Sequence, residues 1–148
     1  MGVEDYGFVR DTAAQQRNFT IPPLYVLWLL SKIKGDICLV AEDAAGGRLA
    51  YLLAVPVSEP PHALFVWQLA ARHDLANSEA ARALIQQLKR QCSRGKVESI
   101  YFSSLPNTAV LRILKGYIRE IFDTEPIQTS VLHELIAPGE AEFRIDLK

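Results

Sequence analysis

The chain has 148 residues, 49% of them hydrophobic and 22% charged, which is an ordinary composition for a single domain over residues 1–148 with its own core. A formal net charge of −1 argues against the basic surface of a nucleic-acid-binding protein, and the longest apolar run, residues 24–30, is far shorter than the roughly 20 residues of a membrane span. Two cysteines are too few for a disulfide framework, which favours a reduced, cytoplasmic setting.

The N-terminal part of the chain predicts one short strand and two helices. Aromatic and β-branched residues favour a strand over residues 6–10, and N-cap candidates after it favour a helix over residues 13–19. Pro22 and Pro23 break the chain, and residues 24–33 then predict a second helix.

Three consecutive strands are predicted next, joined by short turns. Residues 36–42 and 48–56 are strands, and the loop at residues 43–47, with its two glycines, joins them as a hairpin. The proline-rich turn at residues 58–62 leads into a third strand over residues 63–70. This succession predicts an antiparallel meander.

The second half of the chain alternates helix and strand. A helix over residues 78–92 followed by a strand over residues 99–103 predicts a parallel crossover from the third strand. Another helix starts at Pro106 and Asn107, and strands near residues 128–135 and 142–146 close the chain. The order predicts an α/β (α+β) fold, with a mixed, mostly antiparallel twisted sheet and helices on both faces.

The junction between the third strand and the helix at residues 78–92 is typical of an anion site. The first helical turn lies at residues 77–79, where unpaired backbone N–H groups and the helix dipole favour negative charge. The loop before it lacks the glycines that let a phosphate chain approach the backbone.

Five short stretches, in the same order along the chain, carry a resemblance to a known family. They are YVLWLL from Tyr25, ICLVAE from Ile37, LFVWQ from Leu64, SLPN from Ser104 and EFRIDL from Glu142. Together with the order of elements, they resemble the GNAT superfamily of acyl-CoA N-acyltransferases, and within it the diaminobutyrate acetyltransferases of ectoine biosynthesis. The resemblance spans nearly the whole chain.

The resemblance implies transfer of an acetyl group from acetyl-CoA, as co-substrate, to the primary amine of a small molecule. In GNAT enzymes the central strand splays from its parallel neighbour, and its free backbone groups hold the pantetheine of the cofactor. The residues that would face the pantetheine here are Leu69, Ala70 and Ala71. Those of the following phosphate loop are Leu75, Ala76, Asn77, Ser78, Glu79, Ala80 and Ala81.

The phosphate loop departs from the family pattern. The family loop reads basic-Gly-x-Gly-x-Gly/Ala, whereas residues 76–81 here read ANSEAA, with neither the basic residue nor the loop glycines. Glu79 would bring negative charge towards a pyrophosphate, although an acidic residue is also an ordinary partner of a helix dipole. Asn77 tolerates a positive φ better than most residues, which favours part of the turn.

The predicted acceptor side keeps some family residues and lacks others. Tyr25, Trp67 and Glu140 match the family and predict an aromatic-walled substrate pocket. Thr20 and Pro22 stand where the family has an acidic residue and an asparagine. Without that anionic anchor the acetyl acceptor is left open.

A general base is needed to deprotonate the amine before it attacks a thioester. Glu59 and His62 are candidates because they come just before the central strand. The alternative is that both are solvated residues of an exposed turn. Trp67 and Gln68 can line the acceptor pocket, although strand alternation predicts that only one of them faces it.

A general acid for the departing thiolate is harder to assign. The tyrosine that many GNAT enzymes use corresponds to Leu114 here, when counted from Asn107. Tyr117 is nearby but on a different helical face, and packing is its alternative role. Asn107 itself is predicted to cap its helix and to touch the cofactor.

The remaining reactive side chains predict no further chemistry. Cys38 alternates within an apolar strand, as a small buried hydrophobe does, and Cys92 lacks the flanking partners of a nucleophile. His62, His73 and His133 are scattered without metal-ligand spacing, so no metal is predicted.

Three interpretations follow from the sequence. The first is a cytoplasmic GNAT-fold acetyltransferase acting on a small-molecule amine by direct transfer, and the second is a catalytically inactive GNAT-fold module that binds a ligand or protein. The third is a structural subunit of a homodimer, because exposed edge strands near the C-terminus often pair between chains.

Overall fold

The computed structural model describes residues 1–72 and 79–147. A short 3₁₀ turn, Val3–Asp5, precedes the first α-helix, and a second one, His133–Leu135, lies in the last loop. The α-helices are α1 (Tyr6–Ala14), α2 (Leu24–Ile33), α3 (Glu79–Arg94) and α4 (Ala109–Phe122). The strands are β1 (Leu39–Glu42), β2 (Arg48–Val57), β3 (Ala63–Ala71), β4 (Ser99–Ser104), β5 (Ile127–Thr129) and β6 (Ala141–Asp146).

The strands form one mixed sheet in the order β1-β2-β3-β4-β6-β5. Neighbouring strands are antiparallel except β3 and β4, which pair in parallel across the crossover through α3. Both the meander and the single parallel step were predicted from the sequence, and both are confirmed. The predicted hairpin loop after β1 is also present, with Gly46 at a φ of +83° and Asp43 accepting backbone N–H groups of the turn.

Helices cover both faces of the sheet. On one face, α3 and α4 pack against the main core cluster, which includes Leu52, Leu64 and Ile100. On the other face, α1 and α2 enclose a second cluster around Tyr51 and Leu53. Because alternate strand residues point to opposite faces, β2 and β3 contribute to both clusters.

Helices α3 and α4 form where their apolar residues recur at helical spacing. In α3, Ala81, Leu84, Ile85, Leu88 and Cys92 are buried on one face. This spacing of three and four residues is that of an amphipathic helix lying on a sheet. The two helices therefore present an apolar wall to the α3/α4 face of β3 and β4.

The predicted strand over residues 6–10 is wrong, because these residues belong to α1. Tyr6, Val9 and Ala13 are buried at a spacing of three to four residues, so the helical period prevails over the β propensity of the aromatic and branched side chains. The helix ends at Ala14, and the predicted continuation to residue 19 is irregular chain.

An ion pair fastens the start of the chain to the sheet. The Asp5 carboxylate accepts hydrogen bonds from the Gly2 N–H at 2.8 Å and from Arg48 Nε at 2.7 Å. Burial alone would raise the pKa of Asp5, but these bonds outweigh it and lower the pKa below the ordinary value of 3.8.

The C-terminal strand predicted at residues 128–135 is also only partly correct. Strand β5 stops at Thr129, and the 3₁₀ turn at residues 133–135 replaces its second half. The reason is the buried Glu142 carboxylate, which accepts hydrogen bonds from Thr129 Oγ1, from the Val131 N–H at 2.7 Å and from the Leu132 N–H at 2.6 Å. These bonds turn the chain away from the strand direction. Within the described ranges, no helix is both long and apolar enough to cross a membrane.

Candidate active site

Strands β3 and β4 separate part way along their length. They pair only from Ala63–Ser99 to Val66–Phe102. Beyond that point β3 continues to Ala71 and β4 to Ser104, but the two strands no longer pair with each other. The sheet is therefore open between the C-terminal ends of these two parallel strands.

A β-bulge lies where the strands separate. Leu53 of β2 pairs with Gln68, while the next residue, Ala54, pairs with Val66, so Trp67 is an extra residue in β3. Trp67 and Gln68 consequently lie on the same face of the sheet, towards α1 and α2. The expectation that only one of them lines the pocket is wrong, because a bulge interrupts the alternation of side chains.

The backbone of Leu69 faces the opening. The Arg72 N–H donates to the Leu49 carbonyl at 2.8 Å, so the hydrogen-bonded pairs between β2 and β3 include Leu49–Arg72 and Tyr51–Ala70. Leu69, one residue out of step, directs its N–H and C=O away from β2. Since pairing with β4 ends at Val66, these two groups are available to a ligand.

A cavity of about 660 Å³ occupies this opening and reaches both faces of the sheet. On the α3/α4 side it is bounded by side chains of both helices and by Leu69, and on the other side by the loop after α1, by β3 and by the segment before β6. The residues that matter below are Phe19, Phe65, Trp67, Leu69, Ser103, Ser104, Thr108, Leu114, Leu135, Ile136 and Glu140.

Glu140 places a carboxylate at the open end of β4. It is half-buried, and its Oε2 accepts a hydrogen bond of 2.6 Å from Ser103 Oγ. Its backbone N–H donates to the Ala137 carbonyl, which fixes the turn before β6. Two further charged residues, Arg17 and Glu134, line the cavity but are exposed.

Gln68 links the sheet to the loop that forms one wall of the cavity. Its Oε1 accepts a hydrogen bond of 2.8 Å from the Tyr51 hydroxyl, and its Nε2 donates to the Thr20 carbonyl at 2.7 Å. Burial raises the pKa of Tyr51, so this hydroxyl remains a donor over the physiological pH range. The buried amide therefore holds the loop against β3.

Replacing Tyr51 by phenylalanine should lower the free energy of unfolding by about 1–3 kcal/mol, because the buried Gln68 Oε1 loses its donor. Chemical denaturation of both proteins measures the difference. Tyr25→Phe is the matched control, since Tyr25 is 69% exposed, and it should leave stability unchanged. Equal stability of Tyr51→Phe and the wild type would contradict the role given to this hydrogen bond.

Of the residues predicted to form the site, the structure brings Trp67, Leu69 and Glu140 to the cavity. Ala70 is buried in the cluster under α1 and α2, and Ala71 lies in the core under α3. Tyr25 lies on the exposed side of α2 and does not line the cavity.

Glu59 and His62 lie at the other end of β3. Both are exposed, and neither lines the cavity. His62 precedes the first residue of β3, so roughly 15 Å of extended strand separates it from Trp67. Its carbonyl accepts the Glu98 N–H at 2.7 Å, which closes the start of the parallel pair.

The N-cap of α4 lies one residue later than predicted. Thr108 is the N-cap, with Oγ1 accepting the Leu111 N–H at 3.2 Å. Asn107 is exposed at a φ of +61° and does not line the cavity, so its predicted role as the cap is wrong. Leu114 does line the cavity, whereas Tyr117 packs at the edge of the core.

The structure describes only the last three residues of the predicted phosphate loop, Glu79, Ala80 and Ala81. Leu75, Ala76, Asn77 and Ser78 lie outside the described residues. Glu79 is exposed at the first residue of α3, Ala80 packs against the core and Ala81 is buried.

Neither cysteine belongs to the site. Cys38 and Cys92 are both buried, and neither lines the cavity. Burial raises the pKa of the Cys92 thiol to about 11 and also raises that of Cys38, so neither is ionised at neutral pH. Across residues 1–72 and 79–147, no cluster of His, Cys, Asp and Glu could hold a metal ion.

Sequence reasoning missed several cavity residues, among them Phe65, Ser103 and Glu134. Ser103 and Ser104 carry a weak signal, because two hydroxyl residues end an otherwise apolar strand. No local sequence signal identifies Phe65 or Glu134 as a cavity residue. Phe65 lines the cavity because of the register of β3, and Glu134 because of the turn that the Glu142 hydrogen bonds fix.

No protein-family model matches the sequence, and no curated protein matches it significantly by sequence. Solved structures do match it in fold. The diaminobutyrate acetyltransferase from Paenibacillus lautus, solved with L-2,4-diaminobutyric acid and coenzyme A, is 24% identical, with a TM-score of 0.77 over 97% of this chain and 90% of that chain.

Two further structures have other acceptors in their names. A phosphinothricin acetyltransferase of the GNAT superfamily from Sinorhizobium meliloti, in complex with acetyl-CoA, is 13% identical, with a TM-score of 0.69 over 99% of this chain and 85% of that one. A ribosomal-protein-alanine N-acetyltransferase from Brucella melitensis is 13% identical, with a TM-score of 0.68 over 99% and 97%. The chain therefore has the GNAT fold, which confirms the fold class predicted from the sequence.

Proposed function

We propose that the protein is an acetyltransferase that moves an acetyl group from acetyl-CoA to the primary amine of a small molecule by direct transfer. The observation that carries this proposal is the opening between β3 and β4, with the Leu69 backbone facing it and the Glu140 carboxylate at its far side. Coenzyme A or acetyl-CoA in the structures from P. lautus and S. meliloti supports the choice of donor.

The pantetheine arm fits the α3/α4 side of the cavity. Its amide groups can pair with the N–H and C=O of Leu69 as an added strand would, and apolar side chains of both helices surround it. The thioester then lies at the point where the two strands separate. An acceptor reaches it from the opposite face of the sheet.

Glu140 is the base in this proposal. The amine enters protonated, and the carboxylate takes its proton directly or through one water molecule. The free nitrogen attacks the thioester carbonyl carbon, so a C–N bond forms as the C–S bond breaks and the CoA thiolate leaves. The nitrogen loses its second proton to solvent as the amide forms. Ser103 Oγ holds one carboxylate oxygen by its 2.6 Å hydrogen bond, which leaves the other free for the amine.

The thiolate takes its proton from solvent. Leu114 lines the cavity where the family resemblance places a tyrosine. The two hydroxyls on that side, Ser104 Oγ and Thr108 Oγ1, both donate to the Leu105 carbonyl, so their protons are already engaged. Because an aqueous thiol has a pKa of about 8.5, solvent is an adequate acid.

The phosphate end of the cofactor would meet the N-terminus of α3, and Glu79, its first residue, opposes it there. Replacing Glu79 by glutamine should tighten acetyl-CoA binding by about two- to fivefold, because one exposed negative charge leaves the N-terminus of the helix. Calorimetry at low salt measures this change. Glu98→Gln, an exposed change before β4, should leave affinity unaltered. Weaker binding of the Glu79 variant would place the phosphates elsewhere.

The experiment that tests the proposed function is release of CoA thiol from acetyl-CoA in the presence of a panel of primary amines, with acetylated product identified by mass spectrometry. Thiol release that requires both protein and amine is the expected result. Failure of every amine, together with no acetyl-CoA binding at millimolar concentration, would overturn the proposal.

A second candidate is an inactive GNAT-fold module that binds a ligand or protein. The glycine-free stretch at residues 76–79 and the apolar Leu114 favour it. Binding of acetyl-CoA without transfer to any amine would support this second candidate over the first.

A further inference from the structure

We infer that the acceptor is an amine with a single cationic group on an apolar, ring-sized body, and not a polar diamine or an amino acid. This inference rests on the proposed function and names its acceptor class. It comes from the walls of the cavity on the side of the sheet that faces α1 and α2.

The walls on that side include apolar side chains from separate parts of the chain. Phe65 is buried, and Trp67, Phe19 and Ile136 are half-buried there. One packed cluster includes Phe65, Trp67 and Ile136. Trp67 also packs against the cluster under α1 and α2, and so does Phe19. The Trp67 bulge turns this ring into the cavity, so the acceptor space is bounded by flat aromatic and branched surfaces.

The polar atoms deep on that side are already engaged. The Gln68 amide bonds both the Tyr51 hydroxyl and the Thr20 carbonyl, and Ser103 Oγ donates to Glu140. Among the described residues that line the cavity, Glu140 is the charged residue that is not exposed, and its carboxylate has capacity for an ammonium. A second polar group on the acceptor would lie against aromatic carbon without a partner, which is unfavourable.

The rim of the cavity does not change this preference. The loop after α1 also lines the cavity with Gln16, Arg17 and Asn18. Gln16 Nε2 already donates to the Thr12 carbonyl, whereas Arg17, Asn18 and Glu134 are exposed, and ion pairs with exposed groups contribute little to affinity. The rim also includes Leu135, which is 52% exposed and lines the cavity. An apolar acceptor would cover this side chain, whereas a polar one would leave it in water.

The test compares phenethylamine with diaminobutyrate and with a short peptide that begins with alanine. Phenethylamine should have a kcat/KM at least about tenfold higher than either, as differences in apolar burial and unpaired polar groups produce. A higher kcat/KM for diaminobutyrate or the peptide would overturn the inference while leaving the proposed function in place.

Leu135→Asn is the matching variant, because an exposed side chain can be replaced without opening a cavity in the core. It should reduce the preference for phenethylamine about threefold or more, whereas Val131→Asn should leave the preference unaltered. Val131 is a suitable control since it is 48% exposed, precedes the same 3₁₀ turn and does not line the cavity. An unaltered preference in Leu135→Asn would overturn the role of this wall.

A binding measurement separates the inference from the proposed function. Calorimetry with phenethylamine and diaminobutyrate, each with and without coenzyme A, needs no turnover. Preferential binding of phenethylamine without acetyl transfer would support the apolar acceptor site and contradict the acetyltransferase. Absence of phenethylamine binding in both conditions would overturn the inference.

Discussion

Replacing Glu140 by glutamine is expected to lower kcat for acetyl transfer about 100- to 1,000-fold, the usual contribution of a positioned general base. The substitution keeps the shape of the side chain and an oxygen that can accept the Ser103 hydroxyl hydrogen bond. It removes the group that takes the proton from the amine. Steady-state kinetics with the best amine of the panel measures the effect.

The loss in this variant should diminish as the pH rises. A primary alkyl ammonium has a pKa of about 10.4, so a growing fraction of the amine is free without help from the protein. A purely structural role of Glu140 would give a loss that does not vary with pH.

Glu59→Gln distinguishes Glu140 from Glu59, one of the two bases predicted from the sequence. Glu59 is exposed and precedes β3, so it lies near the end of that strand that is remote from the cavity. Activity close to that of the wild type is therefore expected for this variant. A large loss in Glu59→Gln, with a small one in Glu140→Gln, would move the base to the turn before β3 and contradict our assignment.

Leu69→Pro is expected to weaken acetyl-CoA binding about 10- to 100-fold. Proline removes the N–H that faces the opening, so an amide of the pantetheine arm would be buried without its donor. The ladder with β2 keeps its hydrogen bonds, because the donors on that side belong to the neighbouring residues. The opened strand thus tolerates proline as an edge strand does.

Two comparisons make this prediction specific to the backbone. Leu69→Ala keeps the N–H and should lose much less affinity than Leu69→Pro. Ala70→Pro removes an N–H that points at β2 and should lower the thermal midpoint more than Leu69→Pro does. Equal affinity losses in Leu69→Pro and Leu69→Ala would show that the side chain, and not the backbone, contacts the cofactor.

The sheet order was accessible from the sequence because its signals are local. The glycine-containing loop before β2 and the proline-rich turn before β3 mark the meander, and the amphipathic period of α3 marks the crossover. The prediction of an N-terminal strand was wrong because the composition of residues 6–10 fits a strand, while the spacing of the buried residues in this segment fits a helix.

The shape of the site was not accessible in the same way. The Trp67 bulge depends on how β3 pairs with β2, and a single sequence contains no record of pairing register. The position of Glu140 beside Ser103 depends on β6 lying next to β4. The resemblance to a known family pointed to Glu140 and Trp67, but not to the Ser103 hydrogen bond and the β-bulge that position them.

The N-cap of α4 shows a smaller limit of local reasoning. Asparagine and threonine are both good caps, and the sequence offers Asn107 and Thr108 in succession. The structure uses Thr108, with Asn107 in the left-handed region that asparagine tolerates. Helix ends predicted from sequence are uncertain by one residue or more for this reason.

The central claim is that acetyl-CoA binds between β3 and β4, and a crystal structure of the protein grown with coenzyme A tests it most directly. We predict a pantetheine arm hydrogen-bonded to the Leu69 backbone, with its thiol in the cavity on the path to Glu140. Coenzyme A bound elsewhere, or an opening free of it at millimolar cofactor, would contradict the account.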